Sequence, residues 1–396
     1  TEIYTLSLHD ALPICNYCGE FMKKILIAVM VAAVLLVTPL LAACNQTEKT
    51  DAIPRWGEES YSYNITKADF VERNTFNDEV YVEEPYASGY EINAESKDEL
   101  VPEDVAGTFT SQIKPSKDES RYTYTTGQVL YVQYKTEDVE ALGCSEEVKA
   151  GLERLTVAAD AAENPFDKHE GLVTLKSTTD TEVVFKREAS QSPISSKQEV
   201  DGFYLGKQHQ QISNYTVSTV YNLEESKVTV TYDDRTDDKE GTAEERQLKY
   251  SAAANVIDAN QLLLYTRSLE KTSTKFQDSV AVQVYQPLNN SLYTANFLFT
   301  YTVNTTLVAA DGSDVYVKLT GVSVIVDGTS LLTQLSLPDT INAEDAALDE
   351  ITIGGTTLNK YTQVRFRSGI YSYRMAAIDA DILDAVTVKP NVEEEE

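Results

Sequence analysis

The sequence predicts a mostly β protein: an antiparallel, curved meander sheet with two short helices packed on one face. Three observations carry this expectation. Runs of β-branched and aromatic residues alternate with polar ones and are broken by turn chemistry about every eight to twelve residues, the spacing of an antiparallel sheet. Asp311-Gly312, Asp327-Gly328 and Gly354-Gly355 each sit between apolar runs and supply the positive φ that two-residue hairpins need. Two segments leave the period of two for helical spacing.

Taken in order, Tyr122 and Tyr124 alternate with threonine, and Leu130, Val132 and Tyr134 continue that face beyond Gly127. Residues 172–175 and 183–185 are expected as two strands joined by a Ser/Thr/Asp-rich loop. Residues 215–221 pair with 227–232 across Glu224-Glu225-Ser226. Further strands are expected at 280–285, 293–308, 315–326, 331–337, 351–358 and 361–366. The first helix runs from Ser145 to about Ala162, with Val148, Leu152 and Leu155 on one stripe and Glu146 and Glu147 in the first turn, where the helix dipole favours them. In the second, Asp258 is the N-cap, Gln261 completes a capping box at N3, and Ile257 staples to Leu262. That helix is expected to reach about Leu269, with Leu263 and Leu264 also apolar.

A chain of 396 residues is long enough for two or three domains, since one core rarely exceeds roughly 250–300 residues. Residues 61–388 form either one elongated sheet or two domains divided near residue 165, where an Ala-rich stretch ends at Asn164-Pro165. Lys and Arg number 33 against 63 Asp and Glu, a net charge of −30, which argues against nucleic acid as a partner because phosphate binding needs clustered cations. At 42% hydrophobic the chain can bury a real core.

Residues 22–44 carry the plainest address. Met22-Lys23-Lys24 is a basic start, residues 25–37 are an unbroken apolar run, and Pro39 and the polar stretch after Cys44 favour cleavage over a spanning helix. Leu41-Ala42-Ala43-Cys44 resembles the lipobox of bacterial lipoproteins. The resemblance implies cleavage between Ala43 and Cys44, a diacylglyceryl thioether on Cys44, and attachment at the extracytoplasmic face of the cell membrane. Two or more acyl chains anchor stably where one is marginal. Residues 1–21 precede the basic start and resemble translated sequencing-adapter sequence, so they are expected to be a non-native leader. The expected organisation is therefore leader 1–21, signal peptide 22–43, polar tether 44–60, β-rich body 61–388 and acidic tail 389–396. Of Cys15, Cys18, Cys44 and Cys144, only the last two belong to the processed chain, and Cys44 is consumed by lipid. No internal disulfide is expected, and Cys144 is expected to be buried and inert.

Catalytic signatures are thin. His169 and His209 are the only histidines of the processed chain; His169-Glu170 lacks the second histidine of a zincin, and no G-x-S-x-G elbow or phosphate-cradling loop occurs. The acidic run Asp233–Glu240 offers oxygens to a cation, but Arg235 and Lys239 interrupt it and the central glycine is missing, so a solvated hairpin tip is the simpler account. Asp379, Asp381 and Asp384 alternate as the wet face of a terminal element would. Twenty-four tyrosines against 11 phenylalanines and the single Trp56 suit a sheet with a partly wet face, with a carbohydrate- or peptide-binding platform as the sharper alternative. No catalytic, cofactor-binding or metal residues are nominated and no cofactor is expected.

The order of strands, Asp258-x-x-Gln261-Leu262-Leu263, Tyr265-Thr266-Arg267 and later hairpins resembles, over about residues 200–388, lipid-carrier lipoproteins whose curved antiparallel sheet wraps helices. The expectation for function is an exported, lipid-anchored surface lipoprotein with a non-catalytic binding or structural role in the cell envelope. The alternatives are a carrier or sensor of an apolar ligand, held between the sheet and the leucines at 148–155 and 262–269, and an exported hydrolase.

Overall fold

The computed structural model describes residues 56–67, 74–76, 79–81, 100–236, 244–251, 254–268, 279–308, 314–327, 335–343, 350–353, 356–359, 362–368 and 371–377. All fall in one compact unit, Lys49–Glu396. The leader, the signal segment with its Ala43–Cys44 junction and the acidic tail lie outside the described residues, as do Asp379, Asp381 and Asp384.

The chain opens with β1 (Glu59–Lys67) and a small hairpin, β2 (Asn74–Phe76) and β3 (Glu79–Tyr81). β4 (Asp104–Pro115) and β5 (Arg121–Lys135) lead into α1 (Thr136–Ala141) and α2 (Glu146–Leu155). Then follow β6 (Thr156–Val157), β7 (Leu172–Lys186), β8 (Pro193–Leu205), β9 (Gln210–Asn222), β10 (Lys227–Asp234), β11 (Glu244–Lys249) and β12 (Val256–Asp258). A helical segment, α3 (Leu262–Tyr265) between the 3-10 turns Ala259–Gln261 and Thr266–Ser268, precedes the second half. That half holds β13 (Ser279–Gln286), β14 (Ser291–Val308), β15 (Asp314–Asp327), β16 (Leu335–Ala343), β17 (Glu350–Ile353), β18 (Thr356–Asn359), β19 (Gln363–Ser368) and β20 (Tyr371–Met375).

Two meanders make one sheet of sixteen strands among the described residues. The path runs β11-β10-β9-β8-β7-β5-β4-β1-β20-β19-β16-β15-β14-β13-β12, with the short β6 alongside β7. The first and last long-range partners, β1 and β20, pair in the middle and join the two halves. All pairs are antiparallel except β12 with β13. β5 and β7, which flank the connection through residue 165, pair along their whole length. The mostly β, antiparallel class expected from alternation is the one found.

Alternation also fixes the inner face. On β5, Tyr122, Tyr124, Leu130, Val132 and Tyr134 are buried with one parity, as the sequence predicts, while Tyr131 points away and lies beneath the Lys176 ammonium. The same face of β1, β4, β7, β13, β19 and β20 joins Leu152 and Leu155 of α2 and Leu262 and Tyr265 of the α3 segment in one core, so both expected helices sit on that face. α2 can approach β9 because residue 151 is glycine: a Cβ there would stand 2.4 Å from Ile212 Cγ1.

Several expectations need correction. Residues 172–186 form one strand, because the Thr-rich stretch pairs with Gly127 and its neighbours on one side and with β8 on the other. α2 begins with Ser145 as N-cap, its hydroxyl accepting from the Val148 N–H at 3.3 Å, but stops at Leu155, where Thr156 and Val157 pair with β7. Asp258 does cap the second helical segment, yet the capping box does not form: Gln261 Nε2 donates to the Gln191 carbonyl instead, and the segment splits into three short turns. Trp56 and Glu59, expected in the polar stretch 44–60, are part of the packed body: Trp56 packs on Tyr122 and Glu59 is buried in β1. Residues 351–358 form two strands in a separate small sheet, and β16 begins at Leu335, too late for a two-residue turn at Asp327-Gly328. The glycines of the three predicted turn dipeptides lie outside the described residues.

Candidate functional site

One end of β5, β7, β8 and β9 gathers the polar chemistry of the described molecule, and its two faces differ. On the inner face, Trp56 packs against Tyr122 and Phe185 with ring centroids 5.4 and 6.2 Å apart, and Leu264 joins the same cluster. Above Trp56, 5.5 Å from its ring, lies the guanidinium of Arg267. It pairs with Glu59 at 2.8 Å, both side chains 3% exposed or less. The Tyr61 hydroxyl donates to the same carboxylate at 2.9 Å. β1 is thereby clasped to the turn that follows α3.

A second buried carboxylate ties β12, at one end of the sheet path, to β8 and β9. Asp258, at the end of β12, accepts from Ser196 Oγ of β8 and Tyr221 OH of β9, both at 2.5 Å, and from the Asn260 N–H at 2.9 Å. Burial pushes its carboxyl above the ordinary range, partly offset by those three donors. Burial likewise pushes the Tyr221 hydroxyl well up, with the Asp258 charge adding to the effect. Gln363 of β19 donates to the Leu263 carbonyl and the Thr266 hydroxyl, so the helical segment is held from both meanders.

The outer face of the same strand ends carries an open groove of about 670 Å³, lined in part by Arg121, Lys186, Ile194, Val220, Leu223 and Glu224. Strand alternation places it there: Arg121 and Lys186 immediately flank the inward Tyr122 and Phe185, so they face outward. Val220, between the inward Thr219 and Tyr221, is 59% exposed. Arg121 and Lys186 are also direct cross-strand partners. Among the described residues neither side chain makes an ion pair, although the next residue, Arg187, is held by Glu119 at 2.5 Å. The β4–β5 turn forms one wall. It is fixed by Asp118, which accepts from Ser116 Oγ, Ser120 Oγ and the Ser120 N–H; these bonds hold its carboxyl down to about 2.

The sequence candidates lie elsewhere. His209 is in the β8–β9 turn and His169 just before β7, at the opposite strand ends from Asp258, roughly 30 Å away at the rise of an extended strand. Asp233 is engaged by Arg235 at 2.7 Å, Asp234 accepts from the Thr236 N–H, and residues 237–240 lie outside the described residues. Among the described residues no three His, Cys, Asp or Glu side chains cluster to hold a metal. Cys144 is a buried free thiol, as expected. Leu152, Leu155, Leu262 and Leu264 are all buried in the packed core. The groove escapes sequence analysis because Arg121 and Lys186 lie 65 positions apart and only the β5–β7 register brings them together.

No family model and no curated protein matches this chain. Among solved structures, a beta-barrel-like protein of domain of unknown function DUF1849 from Brucella abortus aligns over 83% of this chain and 98% of its own, at 10% identity and a TM-score of 0.38. Among the described residues no helix is long and apolar enough to cross a membrane, a statement that leaves strands aside.

Proposed function

We propose that this chain is an exported lipoprotein, acylated on Cys44 after cleavage at Ala43, whose β-rich body has a non-catalytic binding role at the extracytoplasmic face of the cell envelope. The observation that carries the proposal is Leu41-Ala42-Ala43-Cys44 placed directly after a basic start and an apolar run. The fold is compatible with that address. Its only described cysteine is an unpaired, buried Cys144, so the body is held by its core and needs no oxidative pairing in any compartment.

The described architecture favours a surface role over carriage of a ligand inside. Leu152, Leu155, Leu262 and Leu264, expected beside an internal ligand, are buried in the core, whereas the 670 Å³ groove opens on the outer face. Its volume lies within the usual range for small-molecule sites, about 300–1,000 Å³. Metabolic labelling with radioactive palmitate in a bacterial host tests the anchor. Label is expected on the wild-type chain and absent from Cys44→Ala; a wild-type chain that is exported but unlabelled, or labelled equally in the variant, overturns it.

A further inference from the structure

We infer that the outer groove binds an anionic amphiphile, with a phosphate-type head held between Arg121 and Lys186 and an aliphatic part lying on Ile194, Val220 and Leu223. This deepens the binding role proposed above and does not depend on acylation of Cys44.

The cations come first. In a chain of net charge −30, Arg121 and Lys186 stand directly opposite each other on neighbouring strands. Like charges at that position repel, and acids are plentiful: nearby, Glu119 neutralises Arg187 and Glu58 lies 3.4 Å from Lys114. Yet no described acid pairs with Arg121 or Lys186. Two cations facing each other across the strands match a dianion. A phosphate monoester carries close to two charges and presents its oxygens to the planar guanidinium fork and the ammonium together.

The apolar side follows from Val220, Ile194 and Leu223, which share the groove with the two cations. A free anion would leave them wet; an aliphatic tail covers them. Glu224 also lines the groove, so its lining carries one net positive unit, too little to favour polyanions such as nucleic acid. The floor is rigid, because the residues behind Arg121 and Lys186 are the packed rings of Tyr122 and Phe185. The site is therefore formed before a ligand arrives, which lowers the cost of ordering on binding.

Calorimetric titration of residues 49–396 with decyl phosphate, below its micelle concentration, tests the proposal. One site is expected. Inorganic phosphate, decanol and decanoate should each bind at least about tenfold more weakly, lacking tail, charge and second charge in turn. Arg121→Gln and Lys186→Gln should each weaken decyl phosphate about fivefold, as for a partly exposed charge contact, and Val220→Ser should weaken it too. Lys207→Gln, in the β8–β9 turn at the far strand ends, should leave it unchanged, and circular dichroism should be the same for all variants. Absence of binding, binding indifferent to Arg121 and Lys186, or decanol as tight as decyl phosphate overturns the site. Decanoate as tight as decyl phosphate overturns the assignment of the head. Failure of palmitate labelling alone removes the anchor and leaves these results standing.

Discussion

The two faces at one end of β5 and β7 handle positive charge in opposite ways. Behind the sheet, Arg267 is buried, paired with Glu59 and stacked over Trp56; in front, Arg121 and Lys186 are in contact with solvent, opposed to each other and unpaired among the described residues. A buried guanidinium without its carboxylate is ruinous to the fold, so its partner is dictated by folding. An exposed cation is tolerated with or without one, since a surface ion pair is worth only ~0–1 kcal/mol. Charge on the inner face is therefore informative about how the chain holds together, and unmatched charge on the outer face about what it meets.

The sharpest way to break this contrast is at the inner pair. Arg267→Met should destabilise by about 3–5 kcal/mol, because Glu59 stays buried with Tyr61 as its remaining donor. Replacing both, Glu59→Leu with Arg267→Met, should recover most of that loss, since two apolar side chains leave no orphaned charge. Urea denaturation of the single and double variants measures both. A loss below about 1 kcal/mol in Arg267→Met would mean that the clasp is no more than another surface pair.

Next in size is the tie from β12 to β8 and β9. Asp258→Ala strands the hydroxyls of Ser196 and Tyr221 in the core and should cost about 2–3 kcal/mol. The pH dependence has a definite sign. Burial raises the folded carboxyl above its ordinary 3.8, so the folded state holds this proton longer than the unfolded chain. Stability due to Asp258 is then fully present below 3.8 and declines as pH rises through the folded value, levelling off above it. Asp258→Asn cannot titrate. The stability of the wild type relative to Asp258→Asn should therefore fall as pH is raised from below 4, and an increase instead would show a carboxyl held down by its donors.

The fold was legible in the chain wherever side-chain period and capping decide the outcome. Alternation places the inner face of β5 correctly from Tyr122 to Tyr134, and Asp258 caps the second helical segment as its sequence predicts. It failed where pairing overrides composition. Residues 177–181 have the polar character of a loop, yet two neighbouring strands satisfy their backbone and keep them extended. Gln261 was expected to fold back on Asp258, but a tertiary acceptor, the Gln191 carbonyl, takes its amide. The groove was invisible for a related reason: Arg121, Lys186 and Val220 carry no motif, and only register makes them neighbours. Local sequence specifies faces and ends; sites assembled across strands depend on pairings that no local pattern encodes.

The smallest expected effect is also the most discriminating. If Arg121 and Lys186 serve a ligand and not the fold, Lys186→Gln removes a cross-strand repulsion and should stabilise the unliganded body by about 0.2–1 kcal/mol at low salt. The gain should shrink as salt is added, because exposed charges are screened beyond roughly 10 Å at 0.1 M. The same substitution should weaken decyl phosphate, so that stability and binding move in opposite directions. A groove that were merely part of the scaffold would lose stability with Lys186→Gln and show no such exchange. Measuring thermal unfolding of wild type and variant in low and high salt, with and without decyl phosphate, separates the two: the variant should unfold higher when free, and the wild type should gain more from the ligand.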